Sequence, residues 1–533
     1  MASLKLRLAF QRVRDELLEQ PKSGRAFVAN AFELDLVAVD YDGWIKELAA
    51  SLKSGDYAPG PIEYCNAPKG ADLVRPAARM QITDRVVYTA GVGACLRDIH
   101  RETRWSQNKH DFAVGINPKG LATRHWLLSP FVGWDAWREE SVRRLGLAKC
   151  RYVLTADIAG YFENISIGIL REDLARIGCP LNAISIVTTC LNHWSLPGER
   201  GLPQGVLGSD ILSKLYLETF DQSLKSAGFA HLRYSDDVRV FCSSEREARR
   251  ALVVVTELLR KRGLTLQSAK TQIREAAGLE AEFEGAVPAI KALNKDYIDE
   301  AVAAGLLVGD PSIPVSVVDD LANAEPSKMS TAVMRMAFTK FVLEEDRPNK
   351  TMRNYLLRRL ASRGDDMAVQ YCSQLILNDP ETTTVVLRYF QDLGDTRRFE
   401  KVIRKALTSK DLDMYPYQRY LLLDWLWRNC ERLTSQTVKA IRAVAQDGNV
   451  SAFVQTYSRA LLGRFGDYAD LERIAGAYGT SSDPLERAQL LCCLARLERG
   501  KRNTLLGRAR DQKPWLDRAV KLVRSGSGPI AAG

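Results

Sequence analysis

No stretch of the chain approaches the ~18 uncharged apolar residues that a membrane-crossing helix requires, which excludes an α-helical membrane protein. The first residues, Met1 to Gln20, form an amphipathic run rich in Lys, Arg and Glu, without the apolar segment of a secretory signal. No Cys-x-x-Cys pair occurs among the ten cysteines, which removes the common zinc sites. The one close pair, Cys492–Cys493, lies in an apolar helical run. Scattered thiols of this kind read as reduced small hydrophobes in a cytoplasmic protein. Histidine is scarce, at five residues, and His100, His110 and His125 fit no metal-binding spacing. What is present is globular: 46% hydrophobic and 26% charged residues. A length of 533 residues exceeds one ordinary core and implies two or three domains. The net charge of +10 fits a polyanionic partner, since phosphate backbones reward Lys and Arg by counterion release; a basic protein without such a partner fits it too.

Residues 1–150 mix short helices with Gly- and Pro-bearing loops. From Arg151 the pattern sharpens. The apolar run Tyr152-Val153-Leu154 ends at Asp157, and a long helical pattern follows. The turn Gly201-Leu202-Pro203-Gln204-Gly205 comes next, then a helix over Ile211 to Lys225 and two short strands around Tyr234-Ser235-Asp236-Asp237. Glu245 to Arg262 has a helical period, with Ala248, Ala251, Leu252, Val255, Leu258 and Leu259 on one face. Gly263 stops it, and Leu264-Thr265-Leu266 resumes as a strand. Strands interleaved with helices predict a layered fold with a central sheet. A proline-bearing connector (Pro288, Pro311, Pro314, Pro326) spans 286–330. Beyond it the pattern is helical throughout, and Gly-Asp followed by an amphipathic helix recurs at Gly364-Asp365, Gly394-Asp395 and Gly466-Asp467. Such a recurrence describes a stacked helical repeat or an irregular bundle. The boundaries expected are therefore 1–150, 151–285, 286–330, 331–524 and a tail at 525–533.

Asp157 closes an apolar strand, and the Ile158 carbonyl that follows offers one more oxygen. Asp236 and Asp237 sit at the tip of a hairpin. One acid there reads as a turn former. Two adjacent acids between apolar strands, with a third at another strand end, are costly as structure but suit chemistry that converges oxygen ligands on hard cations.

The run Tyr152 to Ile165 (YVLTADIAGYFENI) resembles palm motif A of reverse transcriptases. Gly201 to Gly205 resembles motif B, Tyr234 to Asp237 resembles motif C, and Gly263-Leu264-Thr265-Leu266 with Lys270-Thr271 resembles motif D. Lys69, Arg75-Pro76 and Asp84-Arg85-Val86-Val87 are similar to the fingers segment that meets the incoming triphosphate. The resemblance covers roughly 60–275, with four palm motifs in order. It implies an α+β fold: a fingers–palm, right-hand polymerase followed by an all-α, HEAT-like helical-repeat domain in the place of a thumb. It implies two Mg²⁺ ions about 4 Å apart, with Mn²⁺ as a substitute, on Asp157, Ile158, Asp236 and Asp237.

The other roles follow from the same resemblance. Phe162 is the ring against the nucleotide sugar, which favours deoxynucleoside triphosphates. Lys69 and Arg75 face the phosphates, or are surface charges. Gln204, with Ile158, belongs to the nucleotide-binding set and lets the backbone approach the nascent pair, while Gly201, Gly205 and Tyr234 line the template and primer. Lys270 protonates the leaving pyrophosphate, or is a plain surface lysine. Trp126, Trp134 and Trp137 with Arg124, Arg138, Arg143 and Arg144 form a single-strand stacking surface or a core beneath a basic face.

Three departures stand out: Ala159 in motif A, Val206-Leu207-Gly208-Ser209 after motif B, and Ser235 in motif C. No motif E, thumb, His-Asn-His cluster or retron signature is evident. A palm followed by helical repeats is similar to the bacterial abortive-infection and defence-associated reverse transcriptases. That implies a bacterial, cytoplasmic RNA-directed or template-independent DNA polymerase acting against phage. Its partners would be nucleic acid (an RNA template or associated non-coding RNA, and a DNA product), with homo-oligomers and no membrane. Synthesis in that family can start from a protein hydroxyl, and the tyrosines of the helical half, among them Tyr417 and Tyr468, are packing residues or include that primer. A retroelement enzyme with an RNA-binding extension, and a retired scaffold, are the alternatives.

Overall fold

A computed structural model of the chain describes residues 4–23, 32–69, 73–303, 328–410, 415–510, 513–526 and 528–530. Among them six strands form two antiparallel sheets, and helices make up most of the remainder. Packing divides the chain into two compact units. One joins Ala94–Leu202 to Gly208–Gln370; the other joins Ser3–Gly93, Pro203–Leu207 and Tyr371–Gly533.

The first unit holds a four-stranded sheet in the order β4-β5-β3-β6, from β3 (Tyr152–Asp157), β4 (Ala230–Tyr234), β5 (Asp237–Cys242) and β6 (Gln272–Glu275). Its period-2 alternation puts Val153, Thr155 and Asp157 on the same face as Phe241, Arg239 and Asp237, their register partners on β5. At its apolar end this face packs Val153, Leu232 and Phe241 against Trp137, Leu145, Leu279 and Phe283. The Glu245–Lys261 helix also packs on the sheet and buries Ala248, Ala251, Val255 and Leu259, as its period predicts. Ser244 caps it by accepting from the Glu247 N–H.

The structure corrects three local expectations. Leu264-Thr265-Leu266 is not a full strand: Leu266 makes one isolated bridge to Ile158, and the sheet's outer strand is β6. The expected helix at Ile211–Lys225 is two helices, Leu207–Tyr216 and Glu218–Ser226, broken at Leu217. The start of the connector is a single 18-residue helix, Ala286–Ala303, with Pro288 in its first turn. The missing proline N–H has no helical acceptor there, so it costs nothing. Pro311, Pro314 and Pro326 lie outside the described residues, as do 527 and 531–533 of the expected tail.

In the second unit, β1 (Glu63–Lys69) and β2 (Leu73–Arg79) form a hairpin. Pro68 and Pro76 lie within these strands and obscured them in the sequence, because proline cannot donate to a ladder. β1 packs on the Pro416–Asn429 helix, and the Glu33–Ala38 helix packs on Pro514–Ser525. The Arg518 guanidinium reaches Glu47 Oε2 at 2.6 Å, and Phe32 meets Trp427 edge-on at 5.7 Å. Composition sets the expected boundary near residue 150, whereas these sequence-distant contacts join 3–93 to the C-terminal helices.

From Thr331 onward every regular element among the described residues is helical. Alternate helices stack in a row: Pro416–Asn429 on Ala452–Phe465, that on Pro484–Cys493, and that on Pro514–Ser525. The recurring Gly-Asp pairs are helix punctuation. Gly394 ends Thr383–Leu393 in the left-handed region, and Asp395 caps the next helix through the Arg398 N–H. Asp467 and Asp470 make a reciprocal capping box at the start of Tyr468–Thr480.

Candidate active site

The ends of three strands build the site. β3 and β5 run antiparallel with Asp157 directly opposite Asp237, and β4 joins β5 through the two-residue turn Ser235-Asp236, with Tyr234 opposite Asp237. Asp157, Asp237 and Tyr234 therefore share one face. The Ile158 N–H donates to the Asp236 carbonyl at 3.1 Å, which locks the turn to the end of β3. The Gln267 and Ala159 N–H groups donate to the Asp157 and Thr265 carbonyls at 2.8 and 2.9 Å. That bridge leaves the Ile158 carbonyl out of its hydrogen bonds, and Ile158 itself is buried.

Like charge and burial shape the electrostatics. The Asp237 carboxyl is pushed up to about 6, first by burial and then by Asp236 and Asp157. Lys270 Nζ lies 2.8 Å from Asp157 Oδ1, and this hydrogen bond raises the ammonium above its ordinary value. The geometry thus joins Asp157, Asp237 and Lys270, with Asp236 next in the turn. Among the described residues no three His, Cys, Asp or Glu side chains converge on one point as a ready-made ion site. The donor chemistry nevertheless fits a hard divalent cation: carboxylate and peptide oxygens only, with one carboxyl penalised by burial and by two neighbouring carboxylates more than Lys270 and Arg239 offset.

This face lines a cavity of about 840 Å³ whose walls include Trp134, Trp137, Asp157, Asp237, Arg239 and Lys270. Sequence reasoning missed Arg239, whose guanidinium lies between the Trp137 and Phe283 rings at 3.6 Å from each centroid. Burial lowers it to about 10. Its alternation on β5 put it on the site's face, which was the available signal.

Of the three tryptophans, Trp126 and Trp137 take the core reading, and Trp134 is half-buried. Trp126 and Trp137 are buried, and Trp134 packs edge-on against Tyr234 at 5.0 Å. Among the basic residues beside them, Arg143 and Arg144 both pair with Glu140.

Phe162 is half-buried, packs against Tyr161 at 5.5 Å, and accepts from the Leu202 N–H through its carbonyl. Gly201 and Gly205 both have positive φ, at 107° and 92°, where a side chain would be strained. In the second unit, Lys69 and Arg75 share one face of the hairpin as diagonal neighbours, since Lys69 faces Leu73 and Arg75 faces Ala67. The Gln204 carbonyl accepts from the Ala78 N–H of β2 at 3.1 Å. Cys65, Cys95, Cys179, Cys190, Cys242, Cys372, Cys430, Cys492 and Cys493 are buried and in no disulfide, and Cys150, half-buried, is in none either. No described helix is long and apolar enough to cross a membrane.

An antiparallel sheet with acids at the ends of neighbouring strands is the arrangement of a polymerase palm. The family model described as "Reverse transcriptase (RNA-dependent DNA polymerase)" matches residues 96–293, which include all four strands of this sheet. The chain thus contains a reverse-transcriptase domain. Among curated proteins it is similar to Protein YkfC of Escherichia coli (strain K12), with 23% identity over 183 residues, 33% of this chain and 44% of that protein. The match spans less than half the length of that relative. Solved structures with some likeness include telomerase from Candida albicans with a TWJ fragment of telomeric RNA (TM-score 0.31, 12% identity, 69% of this chain and 68% of that one). Human deoxyhypusine hydroxylase in complex with glycerol gives TM-score 0.18 and 15% identity over 45% of this chain and 98% of that one. Both likenesses are too loose for a comparison of folds.

Proposed function

We propose that the chain is an RNA-directed or template-independent DNA polymerase of the reverse-transcriptase type, acting in bacterial antiphage defence. The observation that carries the polymerase reading is Asp157 opposite Asp237 across adjacent strands, on a face that also carries Lys270. Asp157, Asp236, Asp237 and the Ile158 carbonyl would hold two Mg²⁺ ions, with Mn²⁺ as a substitute. Bound there, divalent cations lower the pKa of a 3′-hydroxyl and neutralise the charge of the triphosphate.

The chain's own groups do the rest. The β3–β5 register holds Asp157 and Asp237 side by side. Lys270 supplies a proton donor within reach of the acids. Lys69 and Arg75 meet phosphate oxygens and Gln204 the incoming nucleotide, while Gly201, Gly205 and Tyr234 line the template and primer. Replacing Lys270 with Met is expected to lower kcat by about 10- to 100-fold, and Arg to recover part of the loss, in single-turnover nucleotide addition. A loss confined to KM would assign Lys270 to binding alone.

Phe162 sets sugar selection in this reading. Phe162→Ala is expected to raise ribonucleotide use relative to deoxynucleotide by about 10- to 100-fold, because the lost ring makes room for a 2′-hydroxyl. Competition between labelled dNTP and rNTP measures this directly, and an unchanged ratio would contradict the role.

The defence reading rests on the palm-then-helical-repeat order and its family resemblance; the stacked helices after Thr331 fit a HEAT-like repeat in the thumb's place. Homo-oligomers and protein priming belong to the same reading. Tyr417 is buried, so Tyr468, 52% exposed, is the more accessible of these two hydroxyls. Phage plating on cells carrying the wild-type gene, against cells carrying the Asp236→Ala/Asp237→Ala gene, tests the defence role. Equal plating on both would contradict it.

A further inference from the structure

Behind the catalytic turn lies a set of charges that the proposed chemistry does not use. Arg233 on β4 is 1% exposed, and Asp111, Asp221, Lys214 and His231 around it are between 0 and 2% exposed. Arg233 Nε and Nη2 donate to Asp221 at 3.1 and 2.6 Å, and Nη2 also lies 3.3 Å from Asp111 Oδ2. Lys214 Nζ completes Asp111 at 2.5 Å, and His231 Nε2 approaches Asp221 at 3.3 Å. The backbone of Arg233 is clamped as well, donating to His110 and accepting from Phe112 at 2.6 and 3.0 Å. Charges buried so completely forfeit solvation, and well-packed apolar residues of similar volume often serve stability as well or better. Stability is therefore a poor explanation for the set.

The remaining donor points to another. Arg233 Nη1 donates to the Ser235 carbonyl at 3.0 Å. Ser235 is the first residue of the catalytic turn and has φ of 57°, a left-handed conformation uncommon for residues other than Gly, Asn and Asp. Its carbonyl belongs to the peptide that leads into Asp236. We propose that Arg233 is a positioning residue, whose planar fork ties the Ser235 peptide to Asp221 on the Glu218–Ser226 helix and so presents Asp236 and Asp237 to Asp157. Only guanidinium geometry does this, because its donors leave in fixed directions toward a carboxylate and a carbonyl at once. A lysine keeps the charge and loses the fork. The inference rests on the polymerase reading for its catalytic consequence, but its structural content is independent of it.

The test is a double-mutant cycle between Arg233→Lys and Ser235→Gly in the full chain, since glycine adopts the left-handed turn without external restraint. Arg233→Lys is expected to lower kcat for nucleotide addition about 30-fold with nucleotide KM within about threefold, and to lose less than about fivefold in the Ser235→Gly background. The same fold-loss in both backgrounds, or no loss in either, overturns the proposal. Hydrogen exchange of the same proteins reads the turn without reference to activity. Arg233→Lys should speed exchange about tenfold in the peptide spanning 235–238 and spare the 218–226 helix; a rise shared equally by both segments, or absent from both, overturns it. Asp221→Asn, which loosens the fork without touching the turn, should act in the same direction if Arg233→Lys folds poorly. A wild-type protein with no Asp157-dependent synthesis would fail the polymerase reading alone, and the exchange comparison would still decide the role of Arg233.

Discussion

Asp237→Asn is expected to abolish nucleotide addition, by at least about 1,000-fold, while making the metal-free protein more stable. The two effects share one cause. Burial, Asp236 and Asp157 push the Asp237 carboxyl up to about 6, so near neutral pH the folded state carries a charge it penalises. Because the folded value lies above the ordinary carboxylate value, the native state retains a proton that the unfolded chain has lost. The contribution to stability is full below about pH 4 and is lost as pH rises through about 6. Relative to that protonated state, ionised Asp237 costs on the order of 1–3 kcal/mol at pH 7.5. Denaturation in EDTA should therefore show wild type gaining on Asp237→Asn as pH falls from 7.5 to 5, and trailing it at 7.5. Equal stability at every pH would mean that the carboxylates do not strain the fold, and would remove the electrostatic reason for a cation at this site.

The second large effect is expected in the second unit, at Gly463 in the Ala452–Phe465 helix. A Cβ built there lies 2.5 Å from the Cys493 carbonyl oxygen and 2.9 Å from Cys493 Cα. Both atoms are backbone of the neighbouring Pro484–Cys493 helix, so no rotamer change relieves the clash. Arg496 fixes the same end of the helix by donating to the Arg464 carbonyl at 2.6 Å. Gly463→Val should cost about 3–5 kcal/mol, through forced separation of two packed helices. Gly476 in the Tyr468–Thr480 helix has open space around its Cβ position. Gly476→Ala should instead stabilise by up to about 1 kcal/mol, through helix propensity. Calorimetry of the two variants separates close approach from propensity. A small effect at Gly463 would contradict the close approach of these two helices.

The acids of the site were legible because each motif is contiguous and its spacing carries its own physics. Tyr152 to Asp157 reads as a strand ending in an acid, and Tyr234 to Asp237 as a hairpin tip. Register then places Asp157 opposite Asp237, a pairing no local pattern states. What escaped the sequence is long-range. Arg233 looks like an ordinary strand residue until Asp111 and Asp221, remote in sequence from one another, close around it. The β1–β2 hairpin hid behind its prolines. Leu264 to Leu266 has strand composition, but its neighbour Ile158 gives it only one bridge, while Gln272–Glu275 takes the edge of β3. The Gly-Asp pairs were visible as a repeat, and the structure gives at least two of them a cause in the N-terminal caps of the Thr396–Leu407 and Tyr468–Thr480 helices.

The most direct test of the central claim is incorporation of labelled deoxynucleotides by the purified chain with Mg²⁺. Reactions would run with an RNA template and primer and without them, beside the Asp236→Ala/Asp237→Ala protein. DNA product from the wild type alone is the predicted result. Its persistence after nuclease removal of RNA would assign template-independent synthesis. Absence of product from the wild type under every condition, or equal product from both proteins, would contradict the account.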